Sequence, residues 1–468
     1  MATASRLEAV QHAGGFSASV MEGFRRFIEE AGDEALFRTS PLRYAEASGL
    51  EEREAIDLFL HATRAGILDF SWGVLCPGCM GFMTTTGGFR ELSRTRYCSL
   101  CRVKVPVSVD DSIEVAFTVS PAVRRIRYHD SENLDLDQEV FRLFFSTSVR
   151  HDEDFARFVL SGMKATGRAP ADGTLELTAR FEPRGYVLLA PELHSVLHFE
   201  AGTEGSSLLE VELHDGRAIP DFARVKAGEV RIVVRNRTLR RTPLAVFADP
   251  VPPPELRDAS FRPPQRVLLP YLSGRKLITN QTFTDLFRSE SIPAEGGLEL
   301  KDLTVLFTDL KGSTAMYERI GDLRAYDLVR RHFSKLRGIV AQRGGAVVKT
   351  IGDAIMASFS EPRLAMDAAV AMNREIREVG PDLLLKIGMH TGPCIAVELN
   401  ERLDYFGQTV NIAARVQGLA EGSEIVVTEP VFGATGVGEL ARQARLEVSR
   451  ENANLKGIGG ATPVVRMR

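Results

Sequence analysis

Six polar residues in the last third of the chain have types and spacings that suit one kind of chemistry. Two aspartates lie 44 positions apart, each at the edge of an apolar run, and the other four residues are spread around and after the second aspartate. Carboxylates on rigid strands suit hard divalent cations, and cations with Lys and Arg suit a polyphosphate. The pattern therefore predicts metal-dependent chemistry on a nucleoside triphosphate. The six residues are Asp309, Lys349, Asp353, Asp404, Asn411 and Arg415.

The segment around the first aspartate predicts a strand, a small-residue turn and a helix. Leu303–Leu310 is mostly apolar and contains Asp309, and a helix is expected from about Thr314. The intervening Gly312-Ser313 turn and the start of the helix, Thr314 included, would present backbone N–H groups to a phosphate. The pattern alone leaves a second interpretation open, in which Asp309 only caps the helix.

The next elements predict a ferredoxin-like antiparallel sheet in the order βαββαβ. A helix over 326–342 is followed by a hairpin whose turn is Gly352-Asp353, so Lys349 and Asp353 lie on opposite sides of that turn. A second helix is expected to open at Ser360-Glu361-Pro362, with Ser360 as its cap. The strand LLKIGMH should then end at a turn over 391–393.

A further helix, predicted from about Thr409, carries the last two of the six residues. Asn411 and Arg415 are four positions apart, so they project from one face and are able to hold one ligand. For this pair alone, a solvated helix face remains the alternative.

These segments closely resemble the catalytic domain of class III nucleotidyl cyclases, over roughly residues 298–468. The matching motifs are FTDLKGST, KTIGDAIMASF, IGMHTGP and DYFGQTVNIAAR. The resemblance implies that Asp309 and Asp353 hold two Mg²⁺ or Mn²⁺ ions. It also implies that Asn411 orients the ribose, that Arg415 stabilises charge on the α-phosphoryl group, and that Lys456 contacts the terminal phosphates.

By the same resemblance, Lys349 and Asp404 contact the base. Adenine offers an acceptor at N1 and a donor at N6, which match a lysine and an aspartate, whereas guanine reverses the pattern. We therefore expect ATP as substrate and cyclic AMP as product, with guanylate cyclase as the alternative. In the family, the active site forms at a dimer interface, so the resemblance implies a homodimer with two complete sites. His390, by the same comparison, falls at a structural turn.

Four cysteines in the N-terminal third predict a metal site of a different kind. Two CxxC pairs separated by eighteen residues provide the tetrahedral thiolate shell that structural zinc prefers. The residues between them are expected to form a hairpin around Gly87-Gly88. The four ligands are Cys76, Cys79, Cys98 and Cys101. A set of free thiols or a redox pair is the alternative.

The rest of the chain predicts a multidomain α+β protein whose other segments regulate the catalytic domain. We expect a helical, winged-helix-like unit over 1–71, a zinc ribbon over 72–108, a β-rich regulatory domain over 109–290 and the cyclase domain over 298–468. Within 109–290, one helical stretch should precede six strands of a sandwich or barrel. A linker is expected at 248–255, with a further proline pair at 263–264.

Composition sets limits on the partners. The chain has 468 residues, a formal net charge of −4 and 26% charged residues, so neither nucleic acid nor an anionic membrane is expected as a partner. The first residues lack the apolar core of a signal peptide, and five cysteines do not make a disulfide framework. We expect a cytoplasmic protein without membrane spans. Two further hypotheses remain: a nucleotide-binding module without turnover, and a DNA-binding regulator that uses the helix-turn-helix-like and zinc-ribbon segments.

Overall fold

The computed structural model describes residues 3–88, 91–92, 94–110, 112–249, 266–287, 297–400 and 402–468. The chain forms two compact units. Unit 1 comprises Met1–Gly88, Thr95–Val107 and Asp111–Leu272, and unit 2 comprises Phe89–Arg94, Ser108–Asp110 and Ser273–Arg468. From residue 250 onward, the predicted linker lies outside the described residues. The finer division of the chain into four domains stays a prediction.

Unit 1 begins with four helices, and two of them meet at a glycine. The helix bounds are α1 (Thr3–Gly14), α2 (Ala18–Glu30), α3 (Pro41–Ser48) and α4 (Glu52–Arg64). Gly49 ends α3 in the left-handed conformation (φ 71°), which glycine adopts without steric cost. Helices α3 and α4 therefore lie in the segment for which the helix-turn-helix-like unit is predicted. The winged-helix-like character of this unit stays a prediction.

The cysteine pairs lie between the first strands. The strands are β1 (Leu68–Leu75), β2 (Phe82–Thr86), β3 (Thr95–Cys98), β4 (Val103–Pro106) and β5 (Ile113–Val119). Strand β1 pairs with β2 and β5, and β3 pairs with β4. The hairpin predicted around Gly87-Gly88 falls partly outside the described residues and stays a prediction. The β1–β2 and β3–β4 pairs are hairpins, and a CxxC segment lies at the turn of each. Each turn therefore brings two thiols together.

The helical stretch predicted before the β-rich region is interrupted. Helix α5 (Leu136–Phe144) is followed by the short strand β6 (Val149–His151) and then by α6 (Glu153–Ser161). The break falls at a hydroxyl-rich segment, where the Ser148 N–H donates to Ser146 Oγ at 2.9 Å. Such side chains compete for backbone hydrogen bonds and so favour a turn over a continuous helix.

A β-sandwich forms the rest of unit 1, as its alternating strand pattern predicts. One sheet has the order β13-β10-β9-β15-β7, and the other has the order β12-β11-β14-β8. Alternate residues of both sheets fill the core between them, such as Leu188 and Leu197 of the first sheet and Ile232 of the second. Three strands at the sandwich edges, over residues 163–169, 217–219 and 222–226, were not predicted. The strand bounds are β7 (Met163–Ala169), β8 (Thr174–Phe181), β9 (Arg184–Ala190), β10 (Ser195–Gly202), β11 (Leu208–His214), β12 (Arg217–Ile219), β13 (Phe222–Lys226), β14 (Gly228–Asn236), β15 (Thr242–Ala248) and β16 (Arg266–Leu268), the last of which pairs with β6.

Unit 2 is built around one antiparallel sheet with the predicted βαββαβ order. After β17 (Leu272–Ser273), its elements are α7 (Gly274–Ile278), α8 (Gln281–Leu286), β18 (Leu298–Leu310), α9 (Ser313–Ile320), α10 (Asp322–Gln342), β19 (Gly345–Ile351), β20 (Ala354–Phe359), α11 (Pro362–Glu375) and β21 (Leu385–Leu399). The sheet order β19-β20-β18-β21 is that of a ferredoxin-like fold. The core lies between this sheet and α10 and α11; the predicted stripe Ala365, Ala368, Met372 and Ile376 is buried there.

Additional elements extend the sheet beyond β21. They are β22 (Arg402–Phe406), α12 (Gln408–Leu419), β23 (Glu424–Thr428), α13 (Glu429–Phe432), α14 (Val437–Gln443), β24 (Val448–Asn454) and β25 (Ala461–Met467). Strand β22 pairs with the end of β21, and β23 continues the sheet in parallel with the start of β21. Helix α12 packs against β21, so the sheet positions the helix that carries Asn411 and Arg415.

Two local predictions in unit 2 are wrong. No turn interrupts β21 at Thr391-Gly392-Pro393: His390 pairs with Val305 in the middle of a continuous strand. Pairing with β18 along one side overrides the local turn signal of Gly and Pro. The cap of α11 is Glu361 rather than Ser360, although Pro362 does open the helix as predicted.

Candidate active site

The two predicted metal-binding aspartates lie next to each other at the end of β18. The backbone N–H of Leu310 donates to Asp353 Oδ2 at 3.3 Å, which brings the β19–β20 turn against the residue that follows Asp309. Burial first, and then the negative charge of Asp353, raise the pKa of Asp309. Two carboxylates that repel each other in this way have the chemistry of a divalent cation site, because a bound cation relieves the repulsion.

A buried histidine that sequence reasoning missed holds the turn that carries Asp353. His332 Nε2 lies 3.3 Å from the backbone carbonyl oxygen of Asp353 and donates to it in the matching tautomer. Burial lowers the pKa of His332 to about 4, so the ring is neutral at pH 7. Its spacing from Val329 and Leu336 on α10 places it in the buried stripe of that helix, and this periodicity was the available signal.

The turn after Asp309 leads into the N-terminus of α9. Gly312 adopts φ 71° and is the N-cap of this helix, so the interpretation of Asp309 as the cap is wrong. Ser313 and Thr314 lie in the first helical turn, whose backbone N–H groups have no partner within the helix. These groups are the ones that the sequence assigns to phosphate binding.

Lys349 and Asp404 form an ion pair. Lys349 on β19 donates from Nζ to Asp404 Oδ2 on β22 at 2.6 Å. The side chain of Asp404 is 10% exposed and that of Lys349 is 40% exposed, so the pair lies at the edge of the solvent. Asp404 is held further by the Tyr405 N–H, which donates to its Oδ1 at 2.8 Å. The two residues assigned to the base are therefore neighbours, as that assignment requires.

Helix α12 presents Asn411 and Arg415 from one face. Asn411 is exposed, whereas Arg415 is half-buried and its Nε is buried without a hydrogen-bond partner among the described residues. A Cβ placed on Gly457 would lie 3.7 Å from an Arg415 guanidinium nitrogen, so the loop with the exposed Lys456 runs beside Arg415. The structure thus places Lys456 near one of the predicted phosphate-binding residues.

A glycine that the sequence did not single out allows α12 to take this position. A Cβ on Gly388 of β21 would overlap the backbone N and Cα of Gln417 in α12. Only glycine permits the helix backbone to approach the strand so closely.

The six residues form separate groups within one chain. Among the described residues, no hydrogen bond joins Asp309 or Asp353 to the side chains of the other four. The carboxylate pair, the Lys349–Asp404 pair and the α12 face are therefore three groups with no hydrogen bond between them among the described residues.

The four predicted zinc ligands come together in unit 1. All four Sγ atoms lie within 4.8 Å of one another, with Cys76–Cys101 at 3.8 Å and Cys79–Cys98 at 3.6 Å. Thiolates about 2.3 Å from a tetrahedral zinc are roughly 3.8 Å apart, so this donor set fits the ion. The N–H groups of Gly81 and Cys101 donate to the Cys79 and Cys98 sulfurs at 3.4 Å, which suits thiolates.

Two family descriptions match the chain in consecutive segments. Residues 2–285, more than half of the chain, match the "Family of unknown function (DUF5939)". The chain belongs to the DUF5939 family. Residues 298–462 match the "Adenylate and Guanylate cyclase catalytic domain". The C-terminal segment that follows the DUF5939 region is therefore a cyclase catalytic domain, as its motifs predict.

Curated relatives of this DUF5939 protein match over part of their length. Adenylate cyclase 2 of Rhizobium meliloti (strain 1021) is 32% identical over 130 residues, covering 24% of this chain and 36% of the relative. The adenylate cyclase of Anabaena cylindrica is 28% identical over 156 residues, covering 29% and 31%. The crystal structure of the adenylyl cyclase CyaB from P. aeruginosa is 21% identical, covers 36% of this chain and 95% of that chain, and has a TM-score of 0.32. The chain spans about a third of the length of these two curated relatives.

In the part of the chain that the structure describes, none of the helices has both the length and the apolar character required to cross a membrane.

Proposed function

We propose that the protein is an adenylate cyclase that converts ATP to 3′,5′-cyclic AMP and pyrophosphate in a homodimer. The observation that carries this proposal is the Asp309–Asp353 carboxylate pair at the end of β18 in a cyclase catalytic domain. Two Mg²⁺ or Mn²⁺ ions bound there would lower the pKa of the ribose 3′-hydroxyl and neutralise the triphosphate. Adenylate cyclase relatives support the same assignment.

The chain's own residues perform the remaining tasks. Asn411 holds the ribose so that its 3′-oxygen faces the α-phosphorus, and Arg415 stabilises the negative charge that develops as the new P–O bond forms and pyrophosphate departs. The N–H groups of the Gly312-Ser313-Thr314 segment and the exposed Lys456 bind the phosphates. Because Arg415 Nε lacks a hydrogen-bond partner among the described residues, its guanidinium has donor capacity left for a phosphoryl oxygen.

Base selection rests on Lys349 and Asp404. A lysine donor and an aspartate acceptor that lie side by side match N1 and the N6 amine of adenine. Guanine would present an N–H to the lysine and a carbonyl to the aspartate. ATP is therefore the proposed substrate, and GTP is the alternative.

The proposal includes a homodimer because the family resemblance implies an active site at a dimer interface, and Lys349 and Asp353 lie on opposite sides of a turn. The carboxylate pair of one protomer would meet Lys349, Asp404, Asn411 and Arg415 of the other, which gives two sites per dimer. In unit 1, one structural zinc bound by the four cysteines completes the proposed cofactors. We also propose that the DUF5939 region regulates the cyclase domain and that the protein is cytoplasmic.

A cyclase assay on the full-length protein tests the activity directly. Purified protein with ATP and either Mg²⁺ or Mn²⁺ should produce cyclic AMP, and Asp309→Ala should abolish the product. A parallel reaction with GTP decides between the two cyclase activities. Saturable ATP binding without product, with both ions and over a range of protein concentrations, would instead favour a nucleotide-binding module.

A further inference from the structure

Unit 1 contains a large cavity that the proposed function does not use. Its volume is about 560 Å³, and it lies between helices α5 and α6, the outer face of the five-stranded sheet and the two CxxC turns. Small-molecule sites in proteins are typically about 300–1,000 Å³ and mostly apolar, so this cavity has the size and character of a ligand site.

The sheet face that lines the cavity is apolar although it is the outer face of a sandwich. Val187 and Leu189 on β9 point toward the cavity, whereas Leu188 between them fills the sandwich core. The same alternation holds for Val196 beside Leu197 on β10. Outer faces of sandwich strands are ordinarily polar because they meet water. The residues of this outer face are buried in the protein, so it is a covered sheet surface that forms one wall of the cavity.

Helices α5 and α6 cover this face without filling the space. Five phenylalanines line the cavity, and three of them, Phe141, Phe145 and Phe155, have ring centroids 5.1, 4.5 and 6.5 Å from the ring of His151. The apolar residues Phe155, Val159 and Leu160 of the amphipathic helix α6 are only half-buried. Phe155 and Val159 line the cavity, so part of the apolar face of α6 borders it.

One cationic side chain at the cavity is available to an anionic group. Arg102 and Arg266 and one carboxylate, Asp249, line the cavity, together with Cys79 and Cys101 of the cysteine cluster. Burial and then the charge of Arg266 lower the pKa of His151 to about 4, so this histidine is neutral at pH 7. Asp249 already has His198 Nδ1 at 3.8 Å. Arg266 is exposed and donates to the Gly78 carbonyl at 2.9 Å, but it has no carboxylate partner among the described residues.

We propose that this cavity binds an amphiphilic monoanion, whose apolar body lies among the phenylalanines and whose carboxylate pairs with Arg266. A planar guanidinium binds a carboxylate through two parallel hydrogen bonds. A single carboxylate matches the one guanidinium of Arg266, whereas a phosphate dianion would bring a second negative charge to an apolar cavity. The ligand site belongs to the DUF5939 region and is independent of the proposed cyclase activity.

Three probes with the same ten-carbon chain and different head groups test the proposal. Isothermal titration of the full-length protein, without nucleotide, should show one decanoate bound per chain. Decanol should bind about 10-fold more weakly, and decylammonium more weakly still, because only the carboxylate pairs with the guanidinium. Decylammonium that binds as tightly as decanoate, or the absence of saturable decanoate binding, would overturn the proposal.

Two substitutions locate the site. Arg266→Gln should reduce decanoate affinity about 10-fold, to that of decanol, and leave decanol binding unchanged; because Arg266 is exposed, the fold should survive. Phe155→Ala removes part of the cavity wall and should weaken all three probes. Phe158→Ala is the matched control, since Phe158 is 56% exposed on the same helix and does not line the cavity. Unchanged decanoate affinity in Arg266→Gln would exclude this cavity as the site, whether or not Phe155→Ala folds.

Discussion

If the active site is shared between two protomers, two inactive variants should restore each other. Asp309→Asn removes one carboxylate of the metal pair, and Arg415→Ala removes the cation on α12. Each variant alone should lack activity, because both sites of its homodimer miss the same group. In a mixed dimer the two defects fall in one site, and the other site combines the intact Asp309 of one chain with the intact Arg415 of the other.

The magnitude follows from the arrangement of these groups. In the proposed homodimer, each site takes the carboxylate pair from one protomer and the α12 face from the other. In an equal mixture with free exchange, about half of the dimers are mixed, and each has one working site of two. The mixture should therefore have about one quarter of the wild-type activity per chain.

The assay measures cyclic AMP produced by each variant and by mixtures over a series of ratios. Activity should peak at the equal mixture and fall to background at either end. A mixture of Asp309→Asn with Asp353→Asn is the matched control: both changes lie in the same group of residues, so no ratio should restore activity. A mixture of Asp309→Asn and Arg415→Ala that stays inactive although dimers exchange would refute the shared site, as would activity in either variant alone.

Four further predictions follow from particular contacts. Asp404→Asn places an amide donor opposite the guanine carbonyl, so the preference for ATP over GTP in kcat/KM should fall roughly 10- to 100-fold. Gly388→Ala forces α12 away from β21 and should lower stability by about 1–3 kcal/mol and reduce kcat, whereas Gly418→Ala, with open space around it, should raise stability by about 0.5–1 kcal/mol; thermal melts and activity assays compare the two. Asp309 has a raised pKa in the folded protein, so its ionisation opposes folding as the pH rises above about 4; without divalent cations, Asp309→Asn should raise the Tm at pH 7, with a smaller difference below pH 4. Metal analysis should find one zinc per chain, and chelation should lower the melting temperature of unit 1; an unchanged melt would contradict the four-cysteine site.

Local sequence patterns predicted the structure correctly where it depends on a single strand, helix or turn. Short β-forming runs between turn residues located six strands of the sandwich, although not the equally long β7. The apolar stripe of α11 identified its buried face correctly. The CxxC spacing predicted the thiol cluster because two tight turns bring four sulfurs together whatever surrounds them. The signal failed where neighbouring strands decide: Thr391-Gly392-Pro393 has the composition of a turn but lies inside β21, which pairs with β18.

Contacts between distant elements had no local signal. The approach of α12 to β21 at Gly388 depends on a helix 29 positions further along at Gln417. The aromatic cavity of unit 1 needs strands, two helices and the CxxC turns to assemble first. Its outer sheet face is visible in the sequence only as strands that are apolar at every position, such as YVLLA, and this pattern fits a strand covered on both sides.

The Lys349–Asp404 ion pair adds a second contribution to the proposed base selection, besides the hydrogen bonds that each residue makes to the base. The two side chains are 2.6 Å apart, so a base cannot lie between them until they separate. Adenine compensates for this loss, because it accepts from the lysine and donates to the aspartate. Guanine would separate the same charges and satisfy neither. The preference for ATP over GTP should therefore have two contributions: the mismatched hydrogen bonds to guanine and the loss of the Lys349–Asp404 ion pair without replacement. If Asp404→Ala lowered kcat/KM for ATP but left the ratio of ATP to GTP unchanged, this pair would not be the element that selects the base.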